Sequence, residues 1–319
     1  MSPVISVVLP VCNEEQVLSR LYERLTSVMR GLGEAYELIF IDDGSRDRSL
    51  TLLKELREKD TTVKIINLSR NFGHQAAITC GLDYAKGDAV VVMDADLQDP
   101  PELIPELITQ WREGYDVVYA VREKREGESV FKSVTAELFY RVIKKLARIE
   151  IPVDTGDFRL LSRRAANALK STRERSRFIR GLVSWVGYRQ TGVKFVRQER
   201  FAGQTKYPFR KMLKFAIDGI TAFSFVPLQM ATYCGFLISG VSFLYIVYAV
   251  LQKLLTNRPV TGWTSLIVAM LFLGGVQLIM LGIIGEYIGR IYEEVKQRPL
   301  YLVDETFGFE SEPGEGSRR

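Results

Sequence analysis

The stretch AVVVMDADLQDPPE, residues 89–102, joins an apolar run to three closely spaced acids and a double proline. Five apolar residues in a row, Ala89 to Met93, read as a strand covered on both faces. Carboxylates at the end of such a strand must face a crevice, where they meet water, a cation or a ligand. Residues i and i+2 of a strand point the same way, so Asp94 and Asp96 can act together if the extended geometry persists that far. Asp99 ahead of Pro100-Pro101 reads as a helix N-cap with proline in the first turn. The expected order is strand, acidic loop, helix.

The same alternation extends upstream and downstream. Strands are expected at residues 4–9, 37–41, 63–68, 89–93 and 116–119, and helices at 14–29, 49–59, 75–85 and 101–113. Leu18, Leu21, Leu25 and Val28 share one face of the first helix. Strands alternating with helices imply parallel βαβ units, hence an α/β class with an open, Rossmann-like sheet covered on both sides. Ligands of such sheets bind beyond the carboxyl ends of the strands. The unusual residues fall there: Pro10 to Glu14 after the first strand, Asp42-Asp43 after the second, Asp94 to Asp99 after the fourth.

The acidic crevice lacks histidine and cysteine spacings for a soft metal and would prefer a hard cation, Mg²⁺ or Mn²⁺. Asp96 and the amide oxygen of Gln98 are candidate direct ligands, with Asp94 on the metal or on a sugar. Too few carboxylates are present for a closed cage, and such ions keep positions open for substrate phosphates. Further on, RFAGQTKYPF (residues 200–209) carries Arg200 and Lys206 around Gly203. This segment either folds over a diphosphate or contacts lipid headgroups beside the membrane.

Charge is distributed unevenly over the 319 residues. No Asp, Glu, Lys or Arg occurs at 219–252 or at 259–285, and each window exceeds the roughly 20 residues that cross a bilayer. Spans are expected with cores at 228–251 and 264–284. Lys206, Arg210, Lys211 and Lys214 precede them and Arg290, Lys296 and Arg298 follow, whereas the linker holds only Lys253 and Arg258. The positive-inside rule puts both flanks in the cytosol and the linker outside. The apolar start lacks a basic leader and soon meets Asn13-Glu14-Glu15, so no signal peptide is expected. Three cysteines without disulfide or metal spacing suit a reducing compartment. The net charge of +5 suits an anionic membrane surface and phosphate ligands, with no nucleic-acid-binding signature. Residues 121–135 read as a polar loop, 136–149 and 208–225 as basic amphipathic helices suited to an interface, and the tail after Phe309 as disordered. The expected organisation is a cytosolic domain at 1–207, an interfacial helix at 208–226, a two-helix membrane domain at 227–285 and a cytosolic segment at 286–319.

VVLPVCNEE, IDDGSRDRS, NLSRNFGHQAA, VVMDADLQDPPE and VDTGDFRLLSRR together resemble the family 2 inverting glycosyltransferases of GT-A fold. More narrowly they resemble the polyprenyl-phosphate glycosyltransferases, above all the bactoprenol glucosyltransferase branch, which has the same soluble domain followed by two helices. The resemblance implies that Pro10, Val11, Asn13 and Glu14 line a nucleotide pocket, with Asp43 at the base or ribose and Asp42 nearby. It implies that Asp94, Asp96 and Gln98 hold the donor diphosphate through the metal. Arg122 then lies near the phosphates, Arg200 and Lys206 clamp them, and Lys132 meets the acceptor phosphate. The Q-x-x-R-W motif of processive synthases is absent, and Arg177-Phe178-Ile179-Arg180 is not a substitute; transfer of one sugar is implied.

Asp157 falls where inverting relatives place a candidate base. A lipid monophosphate, with a second pKa of about 6, hardly needs deprotonating. An acceptor-side role beside Arg159 is therefore expected of Asp157. His74, the single histidine, reads as a loop residue that contacts the nucleotide. The implied donor is UDP-glucose, with GDP-mannose and UDP-amino-arabinose derivatives as rivals. The implied acceptor is undecaprenyl phosphate in the bacterial cytoplasmic membrane, and homo-oligomerisation stays open. A nucleotide-binding regulator would need neither the acidic triplet nor the clamp, and a transporter would need ionisable residues within the spans.

Overall fold

The computed structural model describes residues 3–122, 155–175, 177–196, 226–256 and 262–309. One eight-stranded sheet organises them, with strand order β7-β5-β6-β4-β1-β2-β3-β8. The strands are β1 (Ile5–Val11), β2 (Tyr36–Asp42), β3 (Val63–Leu68), β4 (Ala89–Val92), β5 (Val117–Arg122), β6 (Thr155–Ser162), β7 (Gln190–Phe195) and β8 (Val303–Phe307). The helices are α1 (Leu18–Leu32), α2 (Ser49–Lys59), α3 (His74–Tyr84), α4 (Ile104–Arg112), α5 (Arg163–Ser171), α6 (Ile179–Trp185), α7 (Val226–Thr256) and α8 (Trp263–Val295).

Strict alternation divides the strands between two cores. Val7 and Leu9 of β1, Phe40 of β2 and Val91 of β4 face α1, α2 and α4. Val8, Ile39, Ile41, Val90 and Val92 face α3, α5 and α6. Apolar residues on both faces bury the central strands β1 and β4 along their whole length. β1 pairs in parallel with both β2 and β4. The chain winds outward from β1 to β3, and α3 then carries it back along the other face to β4. The winding of the chain therefore reverses between the parallel neighbours β1 and β4, and a ligand crevice belongs there.

Two strands run against this pattern and were not expected. β6 is antiparallel to β4, with Val92 opposite Arg159, so its first residues lie at the carboxyl end of β4. β8, which follows the second long helix, returns to pair antiparallel with β3 and forms that edge of the sheet. Lys54 reaches Glu305 at 3.2 Å, Asn67 reaches Asp304 at 3.3 Å, and the Ser69 N–H donates to the Leu302 carbonyl at 3.0 Å.

Helix starts differ from the sequence expectation in two places. α1 begins at Leu18 because Glu14 to Val17 form a turn, with the Val17 N–H on the Glu14 carbonyl at 3.0 Å. Asp99 is not an N-cap. Pro101–Leu103 form a 3₁₀ turn capped by Pro100, and α4 follows with no side-chain cap. Asp99 is buried beneath the acidic loop instead.

α7 and α8 contain windows, Leu228–Gln252 and Leu266–Val295, long and apolar enough to cross a membrane by length and composition. Neither is covered by the rest of the protein, which argues against soluble core helices. The helices expected at 136–149 and 208–225, most of the polar loop and the tail after 309 lie outside the described residues.

Candidate active site

The loops after β1 and β2 interlock. Asn13 adopts a left-handed backbone, with φ of 58°, and its Oδ1 accepts from the Arg46 N–H at 2.8 Å. Its own N–H donates to Ser45 Oγ at 3.0 Å, and the Glu14 N–H donates to Ser49 Oγ at 2.9 Å. Pro10 and Val11 complete the buried end of β1. Gly44, with φ of 64°, passes so close to the 70–71 backbone that a Cβ would lie 2.5 Å from the Asn71 nitrogen. Only glycine suits that combination.

The two adjacent acids have different duties. Both Asp43 oxygens accept backbone N–H groups, from Phe72 at 2.7 Å and Gly73 at 3.0 Å. Asp43 thus ties the β2 end to the segment that opens α3. Asp42 accepts from the Ser45 N–H at 3.2 Å through Oδ2, while its Oδ1 is buried with no hydrogen-bond partner. Burial pushes the Asp42 pKa up. An unsatisfied buried acceptor has a desolvation cost that a ligand donor can relieve. Asp42, rather than Asp43, carries that feature.

The acidic loop is tightly wound. Leu97 sits at φ of 62°, and Asp96 Oδ1 accepts from the Gln98 N–H at 3.1 Å. Asp99 is pushed up to about 7 by burial and then by the charge of Asp94. Asp94 Oδ1 is sealed from solvent without a hydrogen-bond partner, and burial raises its pKa despite the opposing charge of His74. This orphaned oxygen beside hard oxygen donors fits a divalent cation. Among the described residues no set of three acidic, histidine or cysteine side chains is arranged to hold a metal ion by itself.

The antiparallel β6 brings Asp157 to this crevice. Arg180 grips its carboxylate at two points, Nε to Oδ1 at 2.9 Å and a terminal nitrogen to Oδ2 at 3.1 Å. His74 Nε2 stands 3.1 Å from Asp157 Oδ2 and 3.4 Å from Asp94 Oδ1. Arg159 lies beneath, donating to the Gly156 carbonyl at 2.8 Å and the Asp157 carbonyl at 3.3 Å. Burial alone would raise the Asp157 pKa, but the His74 hydrogen bond and the Arg180 charge hold it well below the usual range. Burial lowers the His74 pKa, yet Asp157 and Asp94 outweigh it and the net shift is upward. Arg159, fully buried, falls to about 10.

His74 is therefore the first residue of α3 and bridges two carboxylates, rather than a loop residue. Sequence reasoning met Arg180 only as the end of Arg177-Phe178-Ile179-Arg180 and gave it no place in the site, since 23 positions separate it from Asp157 and no spacing rule links them. Arg122 closes β5 next to Gly156, where a Cβ would approach its guanidinium to 2.7 Å. The expected Lys132, Arg200 and Lys206 lie outside the described residues.

An open mixed sheet with an acidic crevice at the β1–β4 reversal defines a GT-A-like transferase architecture. The chain belongs to glycosyl transferase family 2, whose domain matches residues 6–170, and residues 226–291 match the GtrB C-terminal hairpin. It is 56% identical to the uncharacterized glycosyltransferase YkcC of Bacillus subtilis (strain 168), over 96% of this chain and 95% of that protein. It is 43% identical to the bactoprenol glucosyl transferase of Shigella phage SfII, over 95% of this chain and 98% of the relative. Among solved structures, glucosyl-3-phosphoglycerate synthase from Mycobacterium tuberculosis, in complex with Mn²⁺, UDP-glucose and phosphoglyceric acid, is 19% identical. That match covers 69% of this chain and 78% of the other, with a TM-score of 0.45.

Proposed function

We propose that this glycosyltransferase moves a single glucose from UDP-glucose to undecaprenyl phosphate at the cytoplasmic face of the membrane, with inversion at the anomeric carbon. The observation that carries the reading is the 43% identity to a bactoprenol glucosyl transferase along almost the whole of both chains, hairpin included.

An oxygen of the lipid phosphate attacks the anomeric carbon from one face. The bond to the UDP oxygen breaks on the other, and its electron pair leaves with UDP. No proton has to move, because the nucleophile is already largely dianionic. Asp157 suits this chemistry as an orienting group. Its oxygens are engaged by Arg180 and His74 and its proton affinity is depressed, so it is a poor proton acceptor. Asp94, Asp96 and Gln98 would hold a Mg²⁺ or Mn²⁺ ion, which when bound stabilises negative charge growing on the leaving diphosphate. Arg122, Arg200 and Lys206 would add cationic groups to the same diphosphate. Asp42 offers its unsatisfied oxygen to a donor group of the nucleotide.

The hairpin addresses a geometric problem, since one substrate is water-soluble and the other lies in lipid. The test is to incubate membranes containing the protein with radiolabelled UDP-glucose, GDP-mannose and UDP-amino-arabinose derivatives, with and without EDTA, and to extract the lipid product. Label should enter the lipid phase from UDP-glucose and vanish with EDTA. Labelling only from another donor would overturn the glucose assignment, and labelling that survives EDTA would overturn the metal.

A further inference from the structure

We infer that a cavity at the end of α8, lined by Arg173, Arg175 and Arg298, takes the phosphate headgroup of an anionic phospholipid. The inference rests on the reading that α7 and α8 lie in a bilayer, and none of the lining residues belongs to the crevice described above.

The cavity, with a volume of about 610 Å³, lies where the segment after α5 meets the chain that leaves α8. Its three guanidinium groups face two carboxylates, Asp83 and Glu294, which leaves one positive charge in excess. Both acids are already engaged. Asp83 accepts from Arg173 at 2.7 and 2.9 Å and from the Tyr301 hydroxyl at 2.7 Å. Glu294 Oε1 accepts the Arg175 N–H at 2.6 Å. Arg298, by contrast, is exposed and makes neither a hydrogen bond nor an ion pair among the described residues. Its charge reaches Glu293, but Lys296 holds that carboxylate at 3.0 Å.

Positive charge is also crowded behind the wall. Arg177 is partly buried, its Nε has no hydrogen-bond partner, and burial and then the charge of Arg173 lower its pKa. Like charges held this close repel one another, and a bound anion relieves the repulsion. Planar guanidinium groups suit phosphate oxygens in particular.

Position favours a lipid over a dissolved ion. α8 has 33 residues and is about 50 Å long, more than the roughly 30 Å hydrocarbon core. Its last turns therefore pass through the headgroup layer. Ile288, Ile291 and Val295 recur at helical spacing and are each more than half exposed, which brings an apolar stripe to the level of the cavity. A phospholipid whose chains follow that stripe presents its phosphate beside the arginines.

The test uses the full-length protein in micelles of an uncharged detergent. Binding of a fluorescent phosphatidylglycerol is measured at equilibrium, with phosphatidylcholine, inorganic phosphate and undecaprenyl phosphate as competitors. Sugar transfer is measured in the same micelles. Phosphatidylglycerol should bind, and phosphatidylcholine, which has no net charge, should compete about tenfold less well. Arg298→Ala should weaken binding about tenfold, the scale of a lost charge-assisted hydrogen bond. Arg298→Glu should weaken it further, and Arg298→Lys should recover part of the loss. These changes fall on an exposed side chain, so the variants should fold and transfer sugar within about twofold of the wild type.

An affinity unchanged in Arg298→Glu would overturn the inference, as would equal competition by phosphatidylcholine. Inorganic phosphate competing as well as the lipid would replace the headgroup with a dissolved ion. Competition by undecaprenyl phosphate, joined to a raised acceptor KM in Arg298→Ala, would make the cavity part of the acceptor's path and overturn a separate site. If the wild type transfers no sugar yet binds phosphatidylglycerol through Arg298, the proposed reaction fails while the cavity's role stands.

Discussion

At the scale of single residues, the crevice holds groups that folding alone does not favour. Asp94 places a carboxylate oxygen out of solvent without a hydrogen bond, and burial raises its pKa. A carboxylate oxygen shut off from water, with only the His74 imidazole 3.4 Å away, costs stability unless a ligand completes its pairing. Asp94→Asn removes that charge at nearly constant volume. We expect sugar transfer to fall by at least about a hundredfold, the scale of losing one electrostatic stabiliser at a reacting centre. Thermal stability measured without metal or substrate should hold or rise. A variant with full activity, or one that is both inactive and clearly less stable, would contradict this account of Asp94. Asp43 presents the opposite case, since its two backbone hydrogen bonds are structural and place the segment leading to His74.

At the scale of elements, close approach and ion pairing between helix and sheet hold the site edges in place. α3 lies so near the sheet that a Cβ on Gly81 would collide with Val8 and reach 2.7 Å from Ile41 Cδ1. Gly81→Ala should destabilise the protein by about 1–3 kcal/mol, as overpacking of a filled core does. Denaturant unfolding of the domain measures this, and a neutral result would mean that α3 can lift without penalty. Asp116, just ahead of β5, accepts from Ser162 Oγ at 2.9 Å and from Arg164 Nε at 3.2 Å. Burial raises its pKa, but those bonds outweigh it and the net shift is downward. A depressed carboxylate contributes stability above its unfolded pKa of about 3.9 and loses it as pH falls through the folded value. The melting temperature should therefore drop below about pH 4, and less steeply in Asp116→Asn; identical acid limbs would exclude this pair as a contributor.

At the scale of the whole molecule, the return of the chain into the sheet constrains how it meets the membrane. β8 pairs with β3, and the Arg175 N–H donates to Glu294 at 2.6 Å near the end of α8. The exit of the second long helix is thus bound to the same body that precedes the first. Two crossings would satisfy that constraint, and from the positive flanks we propose that the body faces the cytosol. In a background with Cys12, Cys80 and Cys234 replaced, a cysteine at Val260 should react with a membrane-impermeant maleimide in intact cells. One at Glu305 should react only after permeabilisation. Equal labelling of both in intact cells would refute the hairpin topology.

Much of this was legible in the sequence because the determinants are local. Short, mainly apolar runs marked β1 to β5 and α-helical spacing marked α1, since burial of each face depends only on neighbours in the chain. The acids at Asp42, Asp94 and Asp96 stood out because a charge at the end of an apolar strand needs a reason. The two long uncharged windows followed from bilayer thickness alone. Tertiary structure decided the rest. Only strand pairing shows that β6 runs backward and so delivers Asp157 to Asp94, because hydrogen-bonded register is set by partners far along the chain. Only packing shows that Arg180 and His74 converge on that carboxylate, or that Asp43 serves the backbone while Asp42 keeps an unsatisfied oxygen. A side chain's charge is written in the sequence, whereas the field it meets comes from residues brought close by folding.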